Sequence, residues 1–494
     1  MEHFDVIIVG AGLSGIGAAS QLSTECPEKS FAILEGREAM GGTWDLFRYP
    51  GVRSDSDMYT LGYRLRPWRD PKAIADGPAI LDYIRDTARE FSVDEKIRFK
   101  HRVKQASWSS DNARWTVEVE ADGVPVRMTC SFLYLCTGYY DYESGYTPEW
   151  PGVDQFRGSI IHPQKWPDDL DYAGKRVVVI GSGATAVTLV PAMAETAEHV
   201  TMLQRSPTYV LSLPSEDRIA NFFRAVLPAK AAYVLSRWKN VLLGLFLYTL
   251  SRRRPSVMKR MIAKGVKKEL GNDFDLKHFT PTYNPWDQRL CLVPDSDLFR
   301  SIREGKSSVV TDEIEKFTET GLLLKSGERL DADIIVTATG LVLKLMAGLQ
   351  LVVDGKPVDM SKTMAYKGMM YSDVPNLASA FGYTNASWTL KCDLTAEYVC
   401  RLLKYMDEHG FAQCTPRISD PSITPEPVLD FNSGYVLRAL DTLPSQGSKT
   451  PWRLHQNYIK DLKMMRYGSV DDGTMEFRTA GNNDLRSKTA DVSA

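Results

Sequence analysis

Two stretches of the chain share one order of hydrophobic and small residues. Asp5–Ser20 (DVIIVGAGLSGIGAAS) and Arg176–Val190 (RVVVIGSGATAVTLV) each begin with a β-branched run, continue through glycines and end in small helix-forming residues. A buried parallel strand that feeds a helix has this pattern. A second apolar run follows each stretch, at Phe31–Glu35 and at Val200–Gln204. The pattern therefore predicts two βαβ units in one chain.

The segments that follow the two βαβ units also resemble each other. Side chains alternate between apolar and polar at Trp115–Glu120 and at Leu322–Lys325, which predicts half-exposed antiparallel strands. Each alternating segment leads to a buried apolar run that ends in Thr-Gly, at Phe132–Gly138 and at Asp333–Gly340. Such a run is expected to return the chain to the nucleotide site of its own module.

The segment 218–270 interrupts the second unit and has a different character. It is amphipathic, helical in composition and basic at intervals, and its longest apolar run, Val241–Leu250, is too short to span a membrane. Two interpretations stay open: an ordinary helical subdomain, or a surface that also touches a membrane or an apolar substrate. We therefore predict an α/β fold in which two Rossmann-like dinucleotide-binding domains carry an inserted helical segment.

Composition excludes several classes of protein. The 494 residues, 43% of them hydrophobic, suffice for two or more domains, and 60 basic against 62 acidic side chains argue against nucleic acid as the main partner. Seven cysteines without a CxxC pair favour a reducing compartment over a disulfide framework or a metal site. The chain starts directly with a strand-like run and lacks a signal-peptide pattern, so we expect a cytoplasmic protein without a transmembrane segment.

The first glycine-rich turn has the spacing of a dinucleotide-binding fingerprint. Gly10, Gly12 and Gly15 allow a tight turn, close approach of a pyrophosphate and close packing of the helix on the strand. Free N–H groups at the start of the helix offer hydrogen bonds to phosphate. Glu35, 20 residues after Gly15, is placed to accept the ribose hydroxyls of an adenosine. We expect FAD in this module.

The second turn, which contains Gly181, Gly183 and Ala186, differs at the position that reads the ribose. Arg205 stands 19 residues after Ala186, where the first module has an acid. An acid would repel a 2′-phosphate, whereas an arginine can hold one with its fork of donors. We therefore expect NADPH rather than NADH in the second module. A disulfide reductase with these two cofactors would need a redox cysteine pair, which the sequence lacks.

Two longer motifs narrow the class further. Residues 41–55 read GGTWDLFRYPGVRSD, and residues 156–168 read FRGSIIHPQKWPD. At every fixed position of both motifs the sequence resembles the type I Baeyer–Villiger monooxygenases. The resemblance extends from Asp5 to about Tyr467 and is loosest in the helical insert and the tail.

The resemblance implies an activity. In that family NADPH reduces FAD, O2 adds to the reduced flavin, and the resulting C4a-peroxyflavin converts a ketone to an ester or lactone. A small hydrophobic ketone or sulfide and O2 are therefore the expected partners, with sulfide or thioamide oxidation as side chemistry. An N- or S-oxygenating flavin monooxygenase is the alternative, although its linker motif lacks the ending Trp166-Pro167-Asp168 found here. A flavin-binding sensor without activity is a third interpretation.

The resemblance also implies roles for single residues. A cation that keeps its proton stabilises negative charge developing on oxygen in a dry site, and Arg289 and Arg303 are both candidates for it. Asp55, which closes the first long motif, is expected to orient that arginine and the nicotinamide. For His162 and Trp166 in the second motif we expect a hinge role rather than proton transfer.

The remaining assignments concern cofactor contacts and domain limits. The residues expected to bind FAD or NADPH are Gly10, Gly12, Ser14, Gly15, Glu35, Thr43, Trp44, Asp45, Leu46, Arg53, Ser54, Asp55, Val103, Gly181, Ser182, Gly183, Ala184, Thr185, Ala186, Arg205 and Ser206. Trp388 and Lys391 either frame the cofactor or substrate or are ordinary packed residues. The expected division is 1–140 and 333–480 for the FAD-binding domain with the C-terminal region, 141–175 for a linker, 176–217 and 276–332 for the NADPH-binding domain, 218–275 for the helical insert, and 481–494 for a flexible tail.

Overall fold

The structure is a computed structural model that describes residues 1–288, 290–428 and 434–479. The tail predicted to be flexible, 481–494, lies outside these residues. The strands are β1 (Glu2–Val9), β2 (Phe31–Leu34), β3 (Ile97–Arg98), β4 (His101–Ser109), β5 (Arg114–Ala121), β6 (Val124–Leu135), β7 (Tyr140–Gly145), β8 (Ser159–Ile161), β9 (Arg176–Ile180), β10 (His199–Gln204), β11 (Tyr209–Leu213), β12 (Leu290–Pro294), β13 (Ser307–Thr311), β14 (Ile314–Thr318), β15 (Gly321–Leu324), β16 (Arg329–Asp331), β17 (Ile334–Thr337), β18 (Leu341–Leu343), β19 (Gln350–Val353), β20 (Lys356–Pro357), β21 (Ala365–Tyr366), β22 (Met370–Tyr371), β23 (Leu377–Ser379), β24 (Phe411–Pro416), β25 (Pro425–Pro427), β26 (Ser445–Gly447) and β27 (Met475–Thr479).

The helices connect these strands and cover their faces. They are α1 (Leu13–Glu25), α2 (Thr43–Leu46), α3 (Met58–Leu61), α4 (Gly77–Glu90), α5 (Ala184–Met193), α6 (Arg218–Val226), α7 (Ala229–Arg253), α8 (Pro255–Leu270), α9 (Asp297–Arg303), α10 (Trp388–His409), α11 (Gly434–Leu437) and α12 (Tyr458–Leu462).

The first module is built on a nine-stranded sheet with β1 in its interior. β1 runs parallel to β2 on one side and to β6 on the other. The side chains of β1 are buried in two hydrophobic cores, one on each face of the sheet. Val6 and Ile8 pack in the same core as Ile16 of α1, and Ile7 packs in the same core as Trp115 of β5. Burial on both faces explains why β1 is a continuous apolar run rather than an alternating one. β4 and β5 extend the sheet with antiparallel pairing, as the alternation at Trp115–Glu120 predicts.

The second module is built on five parallel strands in the order β13, β10, β9, β17 and β8. The segment around Leu322–Lys325 forms the middle strand of a separate antiparallel sheet, β14–β16, in agreement with its alternating pattern. Two βαβ units with helices against parallel strands confirm the predicted fold class.

Two domain limits differ from the expected ones. β17 pairs with β9 and β8 in the second sheet, so the chain leaves this module after Thr337 and not at 332. The reason is that the apolar run of β17 is buried between two strands of this sheet. β8 lies inside the segment 141–175 that we expected to be a linker, yet it forms the edge of the same sheet. The two modules are connected by β7 and β18, which pair antiparallel.

The insert consists of α6, α7 and α8, within the segment predicted to be helical. α7 is tied to the first module by the buried guanidinium of Arg237. This group donates hydrogen bonds to the carbonyl oxygens of Tyr59 and Gly62, both at 2.9 Å, and pairs with Asp393 at 2.9 Å. No helix in the described ranges combines the length and apolar character that a membrane span needs.

Candidate active site

A cavity of about 760 Å³ opens where the two modules and the insert meet. Its wall includes Gly12 of the first module, Thr185 of the second, and Leu247 and Met258 of the insert. Most of the wall's exposed area is apolar, and its polar and charged side chains come from the loop after α2, from the insert and from the segment before α10. An apolar cavity with a small number of convergent polar groups is the usual form of a small-molecule site.

The first fingerprint is shaped by close backbone contacts. Gly10 has φ +103°, and a Cβ at this position would lie 2.5 Å from the carbonyl oxygen of Cys136. A Cβ on Gly15 would lie 1.9 Å from the carbonyl oxygen of Gly10, so a side chain here would push α1 away from β1. Gly12 caps α1 without a side-chain hydrogen bond, and it lines the cavity. The first N–H groups of α1 are therefore available to a phosphate.

Glu35 is buried directly after β2. One carboxylate oxygen accepts the N–H of Ala11 at 2.8 Å and the other accepts the N–H of Arg37 at 2.9 Å. These bonds fix the carboxylate beside the glycine turn, as the spacing predicts. Val103 lies nearby on β4, where His101 donates its N–H to the carbonyl oxygen of Glu35.

The second fingerprint repeats this geometry with one difference. A Cβ on Gly181 would lie 2.3 Å from the carbonyl oxygen of Ala338, whereas a Cβ on Gly183 would meet nothing within 4 Å. Gly183 caps α5 without a side-chain bond, and Ala184 and Thr185 line the cavity. Ala186 is fully buried against the sheet. Open space at an uncapped helix start is what a pyrophosphate requires.

Arg205 and Ser206 lie at the end of β10, and both side chains are exposed. The guanidinium of Arg205 makes no hydrogen bond to any described residue, while the carbonyl oxygen of Ser206 accepts the hydroxyl of Ser182 at 3.1 Å. Ser182 therefore ties the glycine turn to the strand end that carries Arg205. The guanidinium is left available for an anionic ligand.

The long motif at 41–55 wraps around the cavity. Thr43 and Trp44 line it, and the Thr43 hydroxyl lies 2.5 Å from that of Tyr140. Asp45 is buried and pairs with Arg37 at 2.7 Å, so it fixes α2, which ends at Leu46. Its carboxylate thus has a structural partner within the protein.

The end of this motif brings two charged residues to the cavity. Arg53 forms an ion pair with Asp297 at the start of α9, and its Nη2 atom is buried without a hydrogen-bond partner among the described residues. Asp55 is exposed and lines the cavity. Ser54 is instead held by Ala75, to which both its N–H and its hydroxyl are bonded.

The structure separates the two candidate catalytic arginines. Arg303 lies on the exposed side of α9, donates to the carbonyl oxygen of Glu269 at 2.9 Å, and is not brought to the cavity. Arg289 lies outside the described residues. Its neighbours Trp286 and Leu290 both line the cavity.

His162 sits where the two connecting segments meet. Its Nδ1 accepts the N–H of Gln164 at 3.2 Å, so Nε2 carries the proton and donates to the carbonyl oxygen of Gly340 at 3.3 Å. Burial lowers the pKa of His162, which favours this neutral form. Gly145 lies against the ring, and Trp166 packs on the core of the second module. The position of His162 between the two connecting segments is compatible with the predicted hinge role, which stays a prediction.

Trp388 and Lys391 have different environments on α10. Trp388 lines the cavity, stacks on Tyr139 with ring centres 5.1 Å apart, and donates to the hydroxyl of Ser14 at 2.8 Å. Lys391 is buried in an ion pair with Asp461 at 2.9 Å. It is therefore a packed residue and does not frame the cavity.

Sequence reasoning missed two parts of the wall. Tyr140 and Tyr142 line the cavity with stacked rings, and burial raises the pKa of both hydroxyls. The run of tyrosines after Thr137-Gly138 was the available signal. Asp57 also lines the cavity and accepts a 2.8 Å hydrogen bond from Asn240 of the insert, and burial raises its pKa. Nothing in the local sequence indicates this pairing across 183 residues.

Comparisons with known proteins agree with this geometry. The flavin-binding monooxygenase-like family matches residues 71–374, and the NAD(P)-binding Rossmann-like domain matches residues 8–69. The chain therefore belongs to the flavin-binding monooxygenase family, and the predicted oxidoreductase enzyme is confirmed at that level.

Individual relatives narrow the position within the family. The chain is 56% identical over 478 residues to FAD-containing monooxygenase EthA of Mycobacterium tuberculosis (strain ATCC 25618 / H37Rv), a match that covers 96% of this chain and 98% of the relative. Steroid monooxygenase bound to NADP superposes with a TM-score of 0.75 at 22% identity over 96% of this chain and 99% of the other. Cyclohexanone monooxygenase in an open form superposes with a TM-score of 0.73 at 19% sequence identity. This match covers 97% of this chain and 100% of the other. The two structural likenesses show the fold.

Proposed function

We propose that this protein is an NADPH- and O2-dependent flavin monooxygenase that converts ketones to esters or lactones, a Baeyer–Villiger oxidation. The observation that carries the proposal is the cavity itself. Most of its exposed area is apolar, it touches the start of α1 and the start of α5, and it receives Arg53 and Asp55 from the long motif. Two nucleotides bound at these helix starts would have their reactive rings in one water-poor space.

The residues present fit the two cofactors. Gly12 and Gly183 leave helix N-termini uncapped, and the space at Gly183 is open. Glu35 suits a ribose with free hydroxyls, and Arg205 suits one with a 2′-phosphate. The relative EthA is named as FAD-containing, and the steroid monooxygenase is described as bound to NADP. These names support FAD and NADPH as the cofactors, and Glu35 and Arg205 are our reason for placing FAD in the first module and NADPH in the second.

Reduced FAD would supply the activation of O2, and the chain's own residues would control where the charge develops. An arginine held beside the reacting oxygen stabilises negative charge there and keeps its proton near neutral pH. Arg289 is our candidate because Trp286 and Leu290, which lie on either side of it in the chain, both line the cavity. Arg53, fixed by Asp297, would position a cofactor phosphate or amide, and Asp55 would orient the arginine.

The substrate class follows from the wall of the cavity. Leu247, Met258 and Leu290 offer no side-chain hydrogen bonds, so binding would rely on burial of hydrocarbon next to a carbonyl group. The name of cyclohexanone monooxygenase, a structural neighbour, points to ketones. Sulfides and thioamides are soft nucleophiles of similar polarity, and we propose their oxidation as side activity.

The experiment compares two variants with the wild type. FAD-loaded wild-type protein is expected to oxidise NADPH and to convert a medium-chain 2-alkanone to an ester. Arg289→Ala should still let NADPH bleach the flavin under nitrogen but should lose ester formation, because only the oxygen-dependent step needs the cation. Arg303→Ala, which removes a surface arginine, should behave as the wild type.

Two results would contradict this assignment. Ester formation that survives in Arg289→Ala and is lost in Arg303→Ala would exchange the two roles. A wild-type enzyme that yields only N- or S-oxides across a ketone panel would replace the Baeyer–Villiger activity with heteroatom oxygenation.

A further inference from the structure

The helical insert carries an exposed apolar stripe. Leu235, Trp238, Leu242 and Phe246 of α7 are spaced so that they lie within about 80° of one another around the helix axis. They lie opposite the face that holds the buried Arg237. Leu242 is 51% and Phe246 62% exposed, which is unusual for large apolar side chains in the described structure.

A second apolar stripe lies on the neighbouring helix. Ile219, Phe222 and Val226 of α6 follow each other at helical spacing and are all more than half exposed. α6 packs against α7, and Lys239 of α7 pairs with Asp217 at the start of α6. Both apolar stripes therefore lie on one packed helix pair rather than at scattered positions.

The charge of the insert is strongly one-sided. Residues 218–270 contain thirteen lysines and arginines and one acid, Glu269. Only Arg237, Lys239 and Arg252 pair with an acid within the part of the chain that the structure describes. The exposed side chains of Lys264, Lys267 and Lys268 on α8 lie at spacings that place them on one face. Exposed apolar side chains together with many unneutralised cations are complementary to an anionic lipid bilayer, which has an apolar interior and a negatively charged surface.

The mouth of the cavity adjoins this apolar surface. Ile219, Leu243 and Gly244 are exposed and also line the cavity. A ligand that enters between α6 and α7 would therefore pass apolar side chains first.

We infer that the insert docks on an anionic lipid surface, with the apolar stripes of α6 and α7 in the acyl region and the lysines of α8 at the headgroups. Docking places the cavity mouth at the membrane, so an apolar substrate dissolved in the bilayer reaches the site without crossing water. Substrate delivery in this form rests on the proposed function, whereas the docking itself does not.

Vesicle sedimentation with the full FAD-loaded chain tests the docking. The protein is expected to pellet with vesicles that contain phosphatidylglycerol, to bind pure phosphatidylcholine vesicles on the order of tenfold more weakly, and to be released by high salt. Leu242→Ser with Phe246→Ser removes the two most exposed side chains of the α7 stripe, and Lys264→Gln with Lys267→Gln and Lys268→Gln removes the three cations on one face of α8. Each set should weaken binding by on the order of tenfold.

Matched controls change similar residues elsewhere. Val124→Ser alters an apolar side chain that is 60% exposed in the first module, and Lys316→Gln alters an exposed lysine of the antiparallel sheet. Both should bind vesicles as the wild type. Equal binding to both lipids, or full binding by the stripe variant, would overturn the docking.

Sedimentation velocity without lipid separates docking on a membrane from self-association through the same stripe. The protein is expected to sediment alike with and without the stripe substitutions. A stable dimer that Leu242→Ser with Phe246→Ser abolishes, together with no vesicle binding, would replace the membrane by a second protomer. Turnover of a short, water-soluble ketone without vesicles reports on the proposed function alone, so its failure is distinguishable from failure of the docking.

Discussion

The guanidinium of Arg205 is exposed at the end of β10 and has no hydrogen bond to any described residue. It stands where the first module has Glu35, whose two oxygens are both occupied by backbone N–H groups. In the proposed function, a single residue at the same place in two similar modules would set which ribose each module accepts. Both residues could be predicted from the sequence because their distance from the glycine turn is fixed by the length of one helix and one strand.

The preference for NADPH should depend on this one side chain. Arg205→Ala is expected to weaken binding of NADPH by about 1–3 kcal/mol relative to NADH, the scale of a lost charge-assisted hydrogen bond. Stopped-flow flavin reduction over a range of each nucleotide gives the two affinities. Arg114→Ala, an exposed arginine of the first module, is the control and should change neither. An equal loss for both nucleotides would refute the 2′-phosphate assignment.

Other residues of the wall could not be predicted in this way. Asp57 meets Asn240, and Trp388 meets Ser14, through contacts between residues far apart in the chain. Such pairs depend on how α7 and α10 pack, which no local pattern encodes. The resemblance also left Arg289 and Arg303 as alternatives, and only the packing of α9 places Arg303 at the surface against Glu269.

At the scale of elements, the glycines of the two turns differ in whether a side chain at their position would collide with the fold. Gly10 and Gly181 face carbonyl oxygens at the ends of the strands that return to them, Cys136 and Ala338. These glycines are needed by the fold. Gly183 faces open space, so the fold does not require a glycine there, and we attribute the glycine to the pyrophosphate of the proposed NADPH.

This difference gives opposite outcomes for two neighbouring substitutions. Gly181→Ala, at φ +139° and with a Cβ 2.3 Å from a carbonyl oxygen, should lower the free energy of unfolding by at least roughly 1–3 kcal/mol. Gly183→Ala, at φ −79°, should leave the melting temperature unchanged and weaken NADPH binding by on the order of tenfold. Thermal unfolding and nucleotide titration of both variants check this. A destabilised Gly183→Ala protein with normal NADPH affinity would show that the turn does not hold the phosphates.

At the scale of the whole molecule, the sequence predicts the two modules and the insert because each has a hydrophobic period of its own. It places the boundaries between the modules incorrectly at β8 and β17. A short apolar run has the same pattern in either sheet, so the sequence does not show that these two strands pair with each other in the second module. The assembly itself makes the site: the wall of the cavity draws on both modules, the insert and the start of α10. Each of these parts alone would leave the reacting atoms exposed to water.

The proposed activity of this assembled cavity is the insertion of one atom of O2 next to a ketone carbonyl. To test it, the FAD-loaded protein is supplied with NADPH, a medium-chain 2-alkanone and 18O2, and the products are identified by mass spectrometry. A Baeyer–Villiger monooxygenase should yield an ester that carries one 18O atom, with NADPH consumed in proportion. Consumption of NADPH that yields only hydrogen peroxide, or only oxides of added sulfides and amines, would contradict the proposed activity.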